Sequence, residues 1–462
     1  MRATAQPRLF ARILTVLLAT VLVAGCTSDS PTPTPSAGGS GSPPPAASSS
    51  LPPTGTPGSP TASGIVETTL PGATETPGAA ETPGSTEPSG ASPAPSGASP
   101  TPSGSPDPRV EAALDRLTTD TELVDQLLFV GWPGTTPKSV RQTLDLLHPG
   151  GIVYVGANAD HAAEALAINQ AIVADAGALG MLPPLIAIDH EGGSVQRIVD
   201  VPNLGSNLAF GNSDPSDRKA CMRGAQQADD LAGMGFNMNL APVLDVLTNP
   251  ANTVIGDRSY GSDPDLVARL GGDYIQGLQG AGIMAVGKHF PGHGATTVDS
   301  HFGLPVLPFG LKRLERVELV PFERALEPDV DVSAIMVAHI ALPKIDPSGA
   351  PASLSEPVVT GILRDLLGFD GLVMTDDIGA MQAVTGHYTT RQAAVMAINA
   401  GVDMLLIVGD QAKEITSRDA LLDALEAGTL SHERLLDAVR HVLEAKARFG
   451  LLGGDGEPAF TC

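Results

Sequence analysis

Apolar residues gather into eight short runs between residues 126 and 410: QLLFVG (126–131), GIVYVG (151–156), LIAID (185–189), NMNLAPVLDV (237–246), IMAVGKHF (283–290), AIMVAHI (334–340), LVMTDD (372–377) and DMLLIVGD (403–410). Each is mostly apolar rather than alternating, as a parallel strand covered on both faces should be. Between several of them lie amphipathic stretches such as DLVARLGGDYIQGLQGAG and TRQAAVMAINAG. Eight strand–helix units predict an α/β fold of the (β/α)8 barrel type, one catalytic domain over residues 108–462. A doubly wound open sheet is the alternative, and the absence of a GxGxxG after the first run weakens it.

Polar residues collect where these runs end: Asp189, Asp245, Lys288 with His289, His339, Asp376 with Asp377, and Asp410. A single aspartate at a strand end is ordinarily a cap or a turn residue. Six runs ending this way point instead to the C-terminal face of a barrel, where active sites are built.

The pattern changes before residue 108. Arg2, Arg8 and Arg12 precede an apolar run from Ile13 to Ala24 that ends in LVAGC. The run is too short to span a bilayer, which takes about 20 residues. Residues 1–25 are expected to be a signal peptide of the lipoprotein type, with lipid added at Cys26. The chain would then be held at the extracytoplasmic face of the cell membrane by its lipid anchor only. Residues 26–107 are almost entirely Pro, Ser, Thr, Gly and Ala, a composition that cannot bury enough apolar surface to offset ordering entropy. They read as a disordered tether with a reach of roughly 50 Å.

The net charge of −24 is carried mostly by the globular part and argues against nucleic acid as a partner. Cysteine is scarce: beyond Cys26 there are Cys221 and Cys462. An exported protein permits a disulfide between them, but nothing in the sequence brings them within bonding distance.

The densest chemistry lies in GKHFPGHGATTVDSH, residues 287–301. His289 and His293 stand at i and i+4, the spacing of two zinc ligands on one helical face. Pro291, Gly292 and Gly294 disfavour a helix there, and no HExxH glutamate or nearby cysteine completes a site. No metal and no cofactor is expected. Asp299 and His301, at i and i+2, project to one side of an extended loop. The carboxylate can hold one imidazole nitrogen and leave the other to move a proton near neutral pH. Asp376 in MTDDIGA supplies a strand-end carboxylate. One proton donor and one attacking carboxylate are the minimum apparatus of retaining glycoside hydrolysis.

Four motifs in order, IDHEGGSVQR (188–197), IGDRSY (255–260), KHFPGHGATTVDSH (288–301) and MTDDIGA (374–380), together resemble family 3 glycoside hydrolases, in the single-barrel β-N-acetylglucosaminidase branch. The resemblance runs from about residue 112 to 452. It implies Asp376 as the nucleophile, His301 as acid/base with Asp299 as its orienting partner, and Asp189, Arg197, Arg258, Lys288 and His289 as sugar-binding residues. Without the motif, Arg258 would read as an ion pair with Asp257 and Arg197 as part of a solvated helix face. His293 is assigned to shaping the loop, and Asp377 to a supporting or capping place. Two positions depart from the pattern: His190 stands where many relatives carry glutamine, and Thr375 where many carry serine. Many family members have a second α/β domain that supplies a glutamate acid/base. No such segment is expected after the eighth run and its helix, which strengthens what the resemblance implies for the loop histidine as proton donor.

The expected function is therefore exo-acting release of terminal GlcNAc from β-linked saccharides or muropeptides, with the cell-wall assignment resting on the tether and the resemblance. A phosphorylase using phosphate in place of water is a close alternative. A non-catalytic sugar-binding lipoprotein and a metal-dependent hydrolase are alternatives of other classes.

Overall fold

The computed structural model describes residues 107–462 except 157, 455 and 457–461. The expected signal peptide, Cys26 and all of the tether but Asp107 lie outside the described residues. Among those described, no helix is long and apolar enough to cross a membrane.

The eight runs form eight parallel strands: β1 (Leu128–Val130), β2 (Gly151–Tyr154), β3 (Leu185–Ile188), β4 (Met238–Asn239), β5 (Met284–Phe290), β6 (Ala334–Val337), β7 (Leu372–Thr375) and β8 (Leu405–Ile407). Neighbours in sequence are neighbours in the sheet, and β1 pairs with β8. A parallel bridge between Met374 and Met404 links β7 to β8 and closes the ring. The open-sheet alternative is thereby set aside.

Side chains two apart along the strands enter the interior, among them Phe129, Val153, Leu185, Met238, Met284 and Met374, all buried. This is the layered filling that a closed eight-stranded barrel requires. The last helix, His432–Arg448, adds Val442 and Ala445 to this cluster. It packs under the N-terminal ends of the strands, where Lys446 Nζ donates to Gln126 Oε1 just before β1 at 2.8 Å. Outward-facing residues such as Ile152, Ile186 and Ile335 pack against the surrounding helices in a second, larger cluster.

The run 237–246 is the longest in sequence and gives the shortest strand. Pro242 has no N–H to donate to a ladder. The backbone beyond Asn239 still follows β5: Ala241 O accepts from Val286 N, Pro242 O from Lys288 N, and Leu244 N donates to Lys288 O.

Cys221, on the helix Asp217–Gly233, is bonded to Cys462, with 5.7 Å between their Cα atoms. The bridge closes a separation of 241 residues, so its main effect is to restrict the unfolded chain. Cys221→Ser is expected to lower the unfolding free energy by about 2–5 kcal/mol. Urea unfolding checks this, with the variant and the reduced wild type expected to coincide; identical midpoints for oxidised wild type and variant would contradict it.

Candidate active site

The site begins with a bulge. The register of β5 against β6 slips between Lys288 and Phe290, so that Lys288 faces Met336 and Phe290 faces Val337 with His289 left between them. On a regular strand Lys288 and His289 would point to opposite faces. The bulge re-aims them, as bulges beside active sites do, and both line one cavity at the open end of the barrel.

That cavity, of about 280 Å3, is also lined by Asp189, Arg197, Arg258, His293, His301 and Asp376. Asp189 follows β3 directly. The chain then turns at Gly192 and Gly193, both at positive φ, and an antiparallel bridge from Gly192 to Val195 carries Arg197 back over Asp189. A Cβ on Gly193 would lie 2.7 Å from Ser206 Cα, so the turn has room for glycine only. Arg197 Nη2 donates to Asp189 Oδ2 at 3.0 Å and Lys288 Nζ to Asp189 Oδ1 at 2.6 Å. Burial opposes the charge on Asp189, but Lys288, Arg258 and Arg197 outweigh it and hold its carboxyl far below the usual range.

The sequence reading missed Glu191. It is almost fully buried and receives Lys288 Nζ at 2.7 Å, together with a fork from Arg258: Nη2 to Oε1 at 2.8 Å and Nε to Oε2 at 2.9 Å. Asp257, the sequence neighbour considered as a partner of Arg258, accepts from Ser194 Oγ at 2.9 Å instead. Arg197 is no solvated helix residue either, since its guanidinium is held by Asp189. The result is a chain of alternating charge, Arg197–Asp189–Lys288–Glu191–Arg258, along one wall. The only signal for Glu191 was its place inside the quoted motif.

Asp245, noted only as a strand-end residue, is wholly buried and aims His289. Its Oδ2 meets His289 Nδ1 at 2.7 Å, and its Oδ1 accepts from the backbone N–H of His293 at 2.5 Å. His190, the departure from glutamine, accepts the Arg197 N–H on Nδ1 at 3.3 Å. Burial pushes its imidazole down to about 4, so at neutral pH it serves as an uncharged acceptor.

Asp376 stands just beyond β7 in the cavity wall. Its Oδ1 accepts the Asp377 N–H at 2.9 Å. Burial pushes the carboxyl up, but His289, His339, that N–H and Lys288 together leave it below its ordinary value, so it is ionised at neutral pH. Asp377 does a different job. Its Oδ1 accepts from the N–H groups of Gly379 (2.8 Å) and Val408 (3.2 Å), and its Oδ2 from that of Ala380 (3.2 Å), which fixes the turn after the strand. Asp410 does not join the site: it caps the helix Gln411–Glu426 through Ala412 N. His339 lies fully buried against Ser353, 2.6 Å away, outside the cavity lining.

Asp299 and His301 pair as their spacing suggested. His301 Nδ1 and its backbone N–H meet Asp299 Oδ1 at 2.8 and 2.9 Å. The His301 side chain is 58% exposed. Its loop is fastened to the segment after Asp376, with Ala383 N donating to Ser300 O and Gln382 N to His301 O. The imidazole and the Asp376 carboxylate thereby share one cavity.

The family model described as the glycosyl hydrolase family 3 N-terminal domain matches residues 118–445. The chain belongs to glycoside hydrolase family 3. It is an enzyme of that class, and the barrel is the family's N-terminal domain. This family 3 hydrolase is 37% identical over 261 residues to a beta-hexosaminidase of Idiomarina loihiensis, covering 56% of this chain and 77% of the relative. It is 36% identical over 359 residues to the beta-hexosaminidase LpqI of Mycobacterium tuberculosis, covering 74% and 86%. Among solved structures, it is similar to a family 3 β-N-acetylglucosaminidase from Paenibacillus sp. at a TM-score of 0.70 and 38% identity, covering 73% of this chain and 64% of that one.

Proposed function

We propose that this family 3 hydrolase is a retaining, exo-acting β-N-acetylglucosaminidase that releases terminal GlcNAc from β-linked saccharides. The observation that carries the reading is the shared cavity: an ionised Asp376 and a His301 oriented by Asp299 line one space large enough for a single sugar ring. The names of the relatives supply the sugar.

In the first half-reaction Asp376 attacks the anomeric carbon as His301 gives its proton to the glycosidic oxygen, and the aglycone leaves. In the second, water gives a proton to His301 as its oxygen attacks the same carbon, and Asp376 departs as carboxylate. Asp189 accepts hydrogen bonds from ring hydroxyls, while Lys288, Arg258 and Arg197 donate to hydroxyl or N-acetyl oxygens and His289 lines the same sugar pocket.

Cell-wall fragments are the natural substrate class for an enzyme held by lipid at Cys26 on the extracytoplasmic face of the membrane. The Cys221–Cys462 disulfide supports an oxidising compartment.

The test is p-nitrophenyl β-GlcNAc with purified protein. Turnover is expected without phosphate and unchanged by chelator. Binding without turnover would favour a sugar-binding protein. A sugar 1-phosphate formed only when phosphate is present would move the reading to a phosphorylase. Loss of turnover with chelator would favour a metal-dependent hydrolase.

A further inference from the structure

Arg223, on the helix Asp217–Gly233, is a buried cation with no carboxylate partner among the described residues. Its two terminal nitrogens donate to the carbonyls of Leu204 and Gly205, and Nη2 also to Asn207 Oδ1 at 3.3 Å. Its guanidinium carbon lies 4.9 Å from the centre of the Phe210 ring. A buried charge is costly unless it is well matched. This one is directed at a loop, and the loop carries the sugar-binding wall.

Asn203 connects that loop to the turn before Arg197. Its Oδ1 accepts the Gly193 N–H at 2.9 Å, and its Nδ2 donates to Gly193 O at 3.0 Å. The same Oδ1 accepts the Gly205 N–H at 2.8 Å. The packing beneath the turn is close: a Cβ on Gly192 would lie 3.1 Å from Gly205 O and 3.4 Å from Arg223 Nη2. In the other direction, Asn207 Nδ2 donates to the carbonyl of Arg258 at 2.8 Å. One guanidinium thus grips the segment that reaches toward Arg197 through Asn203 and to Arg258 through Asn207. Those two arginines are the ends of the chain Arg197–Asp189–Lys288–Glu191–Arg258. Gln227, one turn further along the same helix, donates to His190 O at 2.6 Å, beside Asp189.

We infer that Arg223, acting through Asn203 and Asn207, is a positioning residue for sugar binding: it holds the two ends of the charged wall in place. It touches no substrate itself. The inference rests on the reading of the cavity as a GlcNAc site.

Arg223→Met keeps an apolar stem in the same space and removes the guanidinium. It is expected to raise KM for p-nitrophenyl β-GlcNAc and the inhibition constant of free GlcNAc, each by about tenfold, the worth of one hydrogen bond of ordinary strength. The value of kcat should stay within about threefold of wild type, because binding is lost and the chemical step is not. Asp376 follows β7, and the His301 loop is fastened to residues 382 and 383, so both groups are held by other elements. Arg223→Lys, whose one ammonium can still reach a loop carbonyl, should recover part of the affinity. Asn203→Ala, at an exposed position, should raise the same two constants and add little to Arg223→Met, since both act on one turn. A folded Arg223→Met protein with wild-type constants and only a lowered Tm would make the arginine structural and overturn the assignment. So would a fall in kcat with GlcNAc inhibition unchanged, or full additivity with Asn203→Ala. Should Arg223→Met fail to fold, Asn203→Ala decides alone, and wild-type constants there would overturn the clamp. A wild type that neither binds GlcNAc nor turns over the glycoside would instead overturn the parent reading, and this one with it.

Discussion

Asp376→Ala is expected to abolish turnover, with kcat on p-nitrophenyl β-GlcNAc falling at least about 10^4-fold. Its carboxylate is ionised and, among the described residues, holds a single hydrogen bond, from the Asp377 N–H. The attacking group is thus presented without a tight ion pair that would have to break first. The turn that carries it is fixed by Asp377, through Gly379, Ala380 and Val408, so the fold should survive the change and thermal unfolding should shift little. A second measurement separates a lost nucleophile from a damaged site. The alanine leaves space beside the anomeric carbon, and azide added to the variant should restore turnover and yield the α-glycosyl azide. A retained rate without azide would remove Asp376 from the chemistry.

His301→Ala should separate substrates by their leaving groups. A general acid contributes about 10^2 to 10^4-fold where the departing oxygen needs a proton and little where it does not. The variant should therefore lose that much on a β-linked GlcNAc disaccharide and far less on a dinitrophenyl glycoside, whose first step needs no protonation. Asp299→Asn should follow the same ranking with smaller losses, because it disturbs the orientation of the imidazole without deleting it. Equal losses on both substrates for His301→Ala would point to a structural histidine and sink the proton-donor role.

The barrel was legible because parallel strands buried on both faces leave an uninterrupted apolar record. All eight runs became strands. The exception in length, 237–246, turned on Pro242, whose missing N–H shortens the ladder without moving the chain away from it. The residues of the site were legible as chemistry. Asp189, Arg197, Arg258, Lys288, His289, His301 and Asp376 line one cavity, with Asp299 behind His301. What could not be read was who pairs with whom. Glu191 is 67 residues from Arg258 in sequence, whereas Asp257 is next to it, and only the fold brings the distant carboxylate nearer. The bulge at His289 is equally silent in sequence, since KHF reads as plain strand. Asp410 was drawn into the strand-end pattern by position alone and turned out to be a cap. The Cys221–Cys462 bond spans too much chain for any local pattern to announce it.

The wall of alternating signs constrains how this pocket can change. Arg197, Asp189, Lys288, Glu191 and Arg258 each neutralise a neighbour, so exchanging one member leaves an adjacent charge short of a partner. Altered preference at the ring hydroxyls would then require compensating replacements made together, because the intermediates are worse than either end. The anomeric end is held by a different limit, because Asp376 and His301 are each required by the reaction itself rather than by a partner in that chain.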